Sequence, residues 1–159
     1  MGVPVVFLYR HAIEIALKDI FFRLTGREPR VAKVGKKEIR HDLENWLVLV
    51  EELLESCVSN WREHPALEEF PYPMSTPLKL SDGTRKTLAA LNAHRYPERY
   101  PDEQWSHEFD FEKFQNECES AFDEVETFSR LVDEVRLLES GAQGPEHANS
   151  IESTDMPRA

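Results

Sequence analysis

Residues 7–24 read FLYRHAIEIALKDIFFRL, and this stretch predicts the helix around which the rest of the chain folds. At about 100° per residue, one arc of that helix holds the most water-tolerant residues, which we predict to face solvent: Ala12, Ala16, Asp19 and Arg23. The opposite arc holds a polar stripe: His11, Glu14 and Lys18. Large apolar residues flank the stripe: Phe7, Ile15, Phe21 and Phe22. The pattern predicts charges that point into the protein, where each needs a partner because unpaired burial is costly.

Two more long helices are predicted from apolar residues at spacings of three and four. The second runs from Asp42, a suitable N-cap, to about Trp61, and the last runs from 111 to 138 with Asp110 as its cap. Six of the ten prolines lie between them, with a short helix predicted at 86–91 and a short strand at WSHEFDF, 105–111. We therefore predict an all-α fold with a proline-rich, partly extended excursion between the second and last long helices.

Length and composition predict a single helical domain over residues 1–139 and a disordered acidic tail over 140–159. The chain has no apolar run long enough to span a membrane and no signal-peptide pattern, so we predict a cytoplasmic protein without a membrane partner. The first helix begins almost directly after Met1, which fits a missing upstream helix.

Cys57 and Cys118 lie on apolar helix faces and are predicted to be reduced and buried, with no metal and no cofactor.

Charge is divided unevenly along the chain, whose net charge is −11. Residues 1–40 carry nine Lys and Arg against four Asp and Glu, whereas residues 41–159 carry ten against 26. The basic residues concentrate at and after the end of the first helix: Arg23, Arg27, Arg30, Lys33, Lys36, Lys37 and Arg40. The acidic balance argues against a broad nucleic-acid-binding surface. The basic segment fits either a solvated loop or a patch that contacts phosphate.

Three short motifs resemble the HEPN-type helical bundle proteins of prokaryotes: YRHAIEIALK at 9–18, HDL at 41–43 and RYP at 95–97. The resemblance spans roughly residues 5–138 and implies an up-and-down helical bundle, homodimerisation through the first helices, and a role in toxin–antitoxin or antiviral defence. Residues at the matching positions are the candidate ligand-binding set that it implies: Tyr9, Arg10, His11, Glu14, Lys18, His41, Asp42, Arg95 and Tyr96, together with Pro97.

Many HEPN-type proteins are metal-independent ribonucleases that use an Arg and a His separated by four to six residues. This chain has no such pair, because the nearest, Arg99 and His107, has seven residues between them. The first hypothesis is therefore a non-catalytic module, dimeric and binding a nucleotide, RNA or partner protein. In it Arg10 or Arg95 contacts phosphate, since a guanidinium matches phosphate oxygens. Tyr96 or Tyr100 stacks on a base.

Two alternatives remain open at this point. The first is a metal-independent endoribonuclease with His11 or His107 as the base and Arg95 or Arg99 as the cation. The second is a purely structural assembly module, in which His41 and Asp42 cap the second helix and Glu14 pairs with Lys18 at the favourable i,i+4 spacing. If the first two helices are antiparallel, His41 lies far from His11 and closer to Lys18.

Overall fold

The computed structural model describes residues 2–68, 77–93 and 110–142. Five helices dominate this part of the chain: α1 (Gly2–Thr25), α2 (Leu43–Val58), α3 (Pro65–Glu68), α4 (Asp82–Ala93) and α5 (Phe111–Ala142). A 3-10 turn (Pro29–Val31) and two short antiparallel strands, β1 (Lys33–Val34) and β2 (Lys37–Glu38), connect α1 to α2. The prediction of an all-α helical bundle is confirmed.

Four helices share one apolar core. α1 packs against α5 and α2, and α4 packs against α5 and α2. The pairs Tyr9–Glu119 and Arg23–Asp133 join α1 and α5 in the same order, so these two helices run parallel. The centre of the core consists of fully buried apolar side chains from all four: Ile13, Leu17, Trp46, Leu54, Leu88, Leu91, Val125 and Phe128.

The faces of α1 differ from the prediction. Phe7, Ile15 and Phe22 are exposed, whereas Ala16 packs against the core. The inward arc is instead formed by Val6, Arg10, Ile13, Glu14, Leu17 and Ile20. We predict Ala12 and Ala16 on the solvent side because alanine tolerates water, but small side chains also allow close helix packing. Ala16 packs against the core, and Ala12 lines a groove together with Phe122 of α5.

The connection between α1 and α2 determines where the second helix begins. Gly26 takes a positive φ of 67° and donates its N–H to the carbonyl of Phe22, which ends α1. The β1–β2 hairpin turns at Gly35, also at positive φ, and its flanking residues Ala32 and Ile39 are buried. As a result the chain returns alongside α1 and brings His41 to Glu14, near the middle of α1 and not at its far end.

The predicted helix caps are confirmed. Asp42 Oδ1 accepts the N–H of Asn45 at 3.1 Å, and Asp110 Oδ1 accepts the N–H of Lys113 at 2.9 Å. α4 is longer than the predicted 86–91 helix because Ser81 Oγ caps it at Thr84. α5 continues to Ala142, three residues past the predicted domain boundary. Cys118 is buried and Cys57 half-buried, both as free thiols.

Two acidic side chains of α2 hold the extended segment that precedes α4. The buried Glu51 accepts the backbone N–H of Leu80 at 2.8 Å and pairs with Arg85. One turn later, Glu55 accepts the N–H of Leu78 at 2.7 Å and pairs with Arg62. We call Glu51 and Glu55 the α2 clasp. Because they satisfy backbone donors that would otherwise lose water, these carboxylates have a structural role.

Candidate functional site

Glu14 is the centre of a buried group of charges on α1. Its side chain is 4% exposed, and Oε2 lies 3.0 Å from Nη1 of Arg10. Its other oxygen, Oε1, accepts from Lys18 Nζ at 2.5 Å and contacts Nδ1 of His41 at 2.6 Å. We call Arg10, Glu14, Lys18 and His41 the Glu14 cluster. One carboxylate therefore holds three basic side chains in fixed positions.

Helical spacing and the returning chain build this cluster together. The i,i+4 spacing stacks Arg10, Glu14 and Lys18 on successive turns of α1. Arg10 Nη2 also donates to the backbone carbonyl of His41 at 2.7 Å. The indole Nε1 of Trp46 donates to the preceding carbonyl, that of Arg40, at 3.0 Å. Two buried donors thus fix the backbone at residues 40 and 41.

Electrostatics favour an ionised Glu14. Burial alone would raise the pKa of this carboxyl, but the hydrogen bonds from Lys18 and His41 outweigh burial and lower the pKa to about 2. Lys18 is also held by the ring of Trp46, whose centroid lies 5.8 Å from Nζ. Arg10 Nε is buried and has no hydrogen-bond partner within the described residues. With Glu14 ionised, the two cationic side chains of Arg10 and Lys18 give the cluster a net positive charge.

The cluster opens onto a cleft of about 290 Å³ between α1 and the hairpin connection. Six residues line this cleft: Lys18, Pro29, Arg30, Glu38, Arg40 and His41. We call it the basic cleft. Arg30 and Arg40 are largely exposed and pair with Glu28 and Glu38, respectively, on the surface. Arg40 lines the cleft and has a positive φ of 49°, which is uncommon for a residue other than glycine.

The structure separates the predicted site residues into two groups. Arg10, Glu14, Lys18 and His41 come together as described, and the predicted Glu14–Lys18 pair is confirmed. Tyr9 lies on the other flank of α1, where its hydroxyl donates to Glu119 at 2.7 Å. His11 is exposed and stacks on Phe7 with the ring centroids 6.1 Å apart. The inward position predicted for His11 is therefore wrong, because α2 and α5 both pack on the opposite arc.

The other predicted residues do not join the cluster in the part of the chain that the structure describes. Asp42 caps α2 and accepts from the amide of Asn92 at 3.2 Å. Arg95, Tyr96 and His107 lie outside the described residues, as do the RYPE/RYPD tandem, most of the predicted 105–111 strand and the tail beyond 142. Two residues that line the cleft, Arg30 and Arg40, were not singled out as site residues. Their only signal in the sequence was the excess of basic residues in the connection.

No protein-family model, curated protein or solved structure matches this chain. The geometry is therefore the basis for assigning a function.

Two larger cavities lie along α5. One of about 500 Å³ is lined mainly by polar and acidic residues at 110–120, and one of about 430 Å³ lies between α4 and α5 with Phe114 and Ala90 at its base. The first cavity is lined by Lys113 and three carboxylates, and the second by Lys86 and one carboxylate.

Within residues 2–68, 77–93 and 110–142, no group of three or more acidic, His or Cys side chains is arranged to hold a metal ion. In the same residues no helix has the length and apolar composition needed to cross a membrane.

Proposed function

We propose that this protein is a non-catalytic binding module whose basic cleft holds a phosphate-bearing ligand, a nucleotide or an RNA. The observation that carries the proposal is the convergence of Lys18, Arg30 and Arg40 on one cleft beside His41. Guanidinium groups match phosphate oxygens in a bidentate arrangement, and a lysine adds a point charge. A ligand with a phosphate group fits both features.

Preorganisation distinguishes this cleft from an ordinary solvated basic loop. Lys18 and His41 are held by Glu14, and the backbone of Arg40 and His41 is held by Trp46 and Arg10. A loop that serves only solubility needs no such network. Fixed donors lose little freedom when they bind an anion, and this raises affinity.

The positive φ of Arg40 supports the same proposal. A non-glycine residue in that conformation costs roughly 1 kcal/mol and persists where the surrounding structure imposes it. Arg40 has this conformation, and its carbonyl accepts the hydrogen bond from the buried Trp46 indole. Strain of this kind is common in binding sites.

The test is equilibrium binding of a fluorescent RNA oligonucleotide with a 5′-phosphate, measured by anisotropy at low salt. We expect Arg40→Ala and Arg30→Ala each to weaken binding by roughly tenfold or more, since each removes a charge-assisted contact of about 1.5–3 kcal/mol. Lys33→Ala and Lys36→Ala are the matched controls, because they remove the same charge from the same connection but do not line the cleft. We expect them to change binding less than threefold, as for an exposed charge.

Equal losses for the cleft variants and the controls would show that binding follows the charge of the segment and would contradict a defined site. Repeating the titration with AMP and with the matching nucleoside adenosine tests the phosphate requirement. We expect AMP, but not adenosine, to compete with the RNA.

A HEPN-like identity, a place in bacterial defence or toxin–antitoxin systems and a cytoplasmic location remain part of this proposal. They are supported by the residues of the YRHAIEIALK and HDL motifs, four of which form the Glu14 cluster. We also propose that the protein is a homodimer. The exposed apolar side chains of α1, Phe7, Leu8, Ile15 and Phe22, favour an oligomer because a monomer would leave them in water.

A metal-independent ribonuclease is the second candidate, and the contact between Glu14 and His41 favours it. A carboxylate that holds Nδ1 leaves Nε2 of the imidazole to take a proton from a ribose hydroxyl. Incubation of labelled RNA with the protein in excess EDTA, beside His41→Ala and His11→Ala, separates the two functions. Cleavage that His41→Ala abolishes and His11→Ala preserves would establish the enzyme and overturn the non-catalytic proposal.

A further inference from the structure

One carboxylate lies among the basic side chains of the basic cleft. Glu38, on β2, shares the cleft wall with four basic residues: Lys18, Arg30, Arg40 and His41. Glu38 is the only acidic residue among the described residues of this lining. A site that bound nothing but phosphate would be better without this charge, because a carboxylate repels an anion. The position of Glu38 therefore indicates that the ligand also brings a hydrogen-bond donor into the cleft.

The pair of Glu38 and Arg40 leaves hydrogen-bonding atoms of both kinds available. Oε2 of Glu38 accepts from Nε of Arg40 at 3.3 Å. Within the described residues, Oε1 of Glu38 accepts no hydrogen bond, and the two terminal nitrogens of Arg40 donate none. The Glu38 side chain is 53% exposed, so a ligand can reach it. The pair thus offers an acceptor beside two donors at the wall of the cleft.

The rest of the lining limits which donor reaches Glu38. No aromatic side chain belongs to the described lining, so the cleft offers no ring on which a base would stack. Its volume of about 290 Å³ lies at the lower limit of small-molecule sites, which span roughly 300–1,000 Å³. The phosphate and the sugar are therefore the parts of a nucleotide that suit the cleft. The hydrogen-bond donors of a sugar are its hydroxyl groups.

We propose that Glu38 accepts a hydrogen bond from the ribose 2′-hydroxyl of the ligand, so that the basic cleft selects ribonucleotides over deoxyribonucleotides. This inference rests on the proposed function and adds a residue that determines specificity. A carboxylate holds the ribose 2′-hydroxyl in dinucleotide-binding folds, and this hydroxyl is the group by which a protein distinguishes RNA from DNA. Within an RNA chain the 3′-oxygen is esterified, so the 2′-hydroxyl is the remaining donor of the sugar.

The experiment compares AMP with 2′-deoxy-AMP by isothermal titration calorimetry, because the two nucleotides carry the same phosphate and the same base. We expect the wild type to bind AMP roughly tenfold or more tightly than 2′-deoxy-AMP, the effect of one hydrogen bond to a charged group. Glu38→Ala should bind the two nucleotides equally. Glu28→Ala is the matched control, because it removes the same charge from the partner of Arg30 but does not line the cleft. Its preference for AMP should equal that of the wild type.

The ratio of the two dissociation constants separates recognition of the sugar from a structural role. If Glu38 only holds Arg40, Glu38→Ala weakens both nucleotides by the same factor and the wild-type ratio persists, which overturns the inference. A ratio that falls equally in Glu28→Ala assigns the preference to net charge and contradicts the role of Glu38. Equal binding of AMP and 2′-deoxy-AMP by the wild type overturns the inference and leaves the phosphate site standing. Absence of AMP binding overturns the proposed function, and the inference with it.

Discussion

Among the residues that the structure describes, two carboxylates are buried, and their surroundings differ. Glu14 on α1 is held by the side chains of Arg10, Lys18 and His41 at the edge of an open cleft. Glu51 on α2 accepts the backbone N–H of Leu80 and pairs with Arg85, inside the packing of α2 against the segment before α4. Both satisfy the requirement that a buried charge be paired, but only Glu14 holds several basic side chains beside an open cleft.

The difference suggests how to distinguish a structural carboxylate from one that belongs to a site. A carboxylate that satisfies backbone amides replaces the water those amides lost on folding, and its role ends there. Burying a carboxylate together with several basic side chains costs free energy, and the packing of the helices alone does not require it. This difference is why we propose the binding site at the Glu14 cluster and not at the α2 clasp.

The largest expected effect comes from Glu14→Gln. The substitution leaves Arg10 buried without a counter-charge, so we expect the free energy of unfolding to fall by about 3 kcal/mol. Urea denaturation measures the loss, and Glu52→Gln on the exposed face of α2 is the control, expected within about 0.5 kcal/mol of wild type. A loss below that of the control would mean that the cluster contributes nothing to stability.

Acid should reproduce the same loss without a mutation. The pKa of Glu14 is about 2 in the folded protein, below the value of about 4.3 in an unfolded chain. The stabilisation is therefore complete above about pH 5 and disappears as the pH falls toward 2, with a total near 3 kcal/mol. The pKa of Glu55 is also lowered, by the Leu78 N–H and then by Arg62, so the informative quantity is the difference between wild type and Glu14→Gln. That difference should shrink between pH 5 and pH 2, and a constant difference would contradict the account.

Glu51→Ala tests whether the α2 clasp has only a structural role. It leaves the buried N–H of Leu80 without an acceptor, so we expect a loss of about 2 kcal/mol. Amide hydrogen exchange should speed up at Leu80, while RNA binding at the basic cleft stays within twofold of wild type. Loss of RNA binding in a folded Glu51→Ala would remove the distinction between the two regions.

The smallest expected effect is the difference in stability between two variants of Arg40. Glycine adopts positive φ without strain, so Arg40→Gly should be about 1 kcal/mol more stable than Arg40→Ala. Both variants should lose RNA binding equally, since both lack the guanidinium. Thermal denaturation and anisotropy on the same pair check the two statements. Equal melting temperatures would show that residue 40 bears no strain.

The helices, their caps and the Glu14–Lys18 pair follow from local sequence patterns, because apolar period, N-cap chemistry and i,i+4 spacing act over a few residues. The face of α1 does not follow, because it depends on which helices pack beside it. The packing of α1 against α5, which follows it by about a hundred residues, determines which side of α1 is buried. Ala16 packs against the core as a result, and Phe22 faces outward. The contact of His41 with Glu14 depends on the path of the hairpin connection, and so does the hydrogen bond from the Trp46 indole to the carbonyl of Arg40.

The most direct test of the central claim is an NMR titration of the labelled protein with AMP. We expect the signals of the His41 ring, of the amides of residues 38–42 and of the Lys18 ammonium to shift as AMP is added. The amides of Leu78 and Leu80, held by the α2 clasp, should stay unchanged and serve as the internal control. Shifts at the α2 clasp with none at His41, or no shifts at all, would contradict the claim that the Glu14 cluster forms a phosphate-binding site.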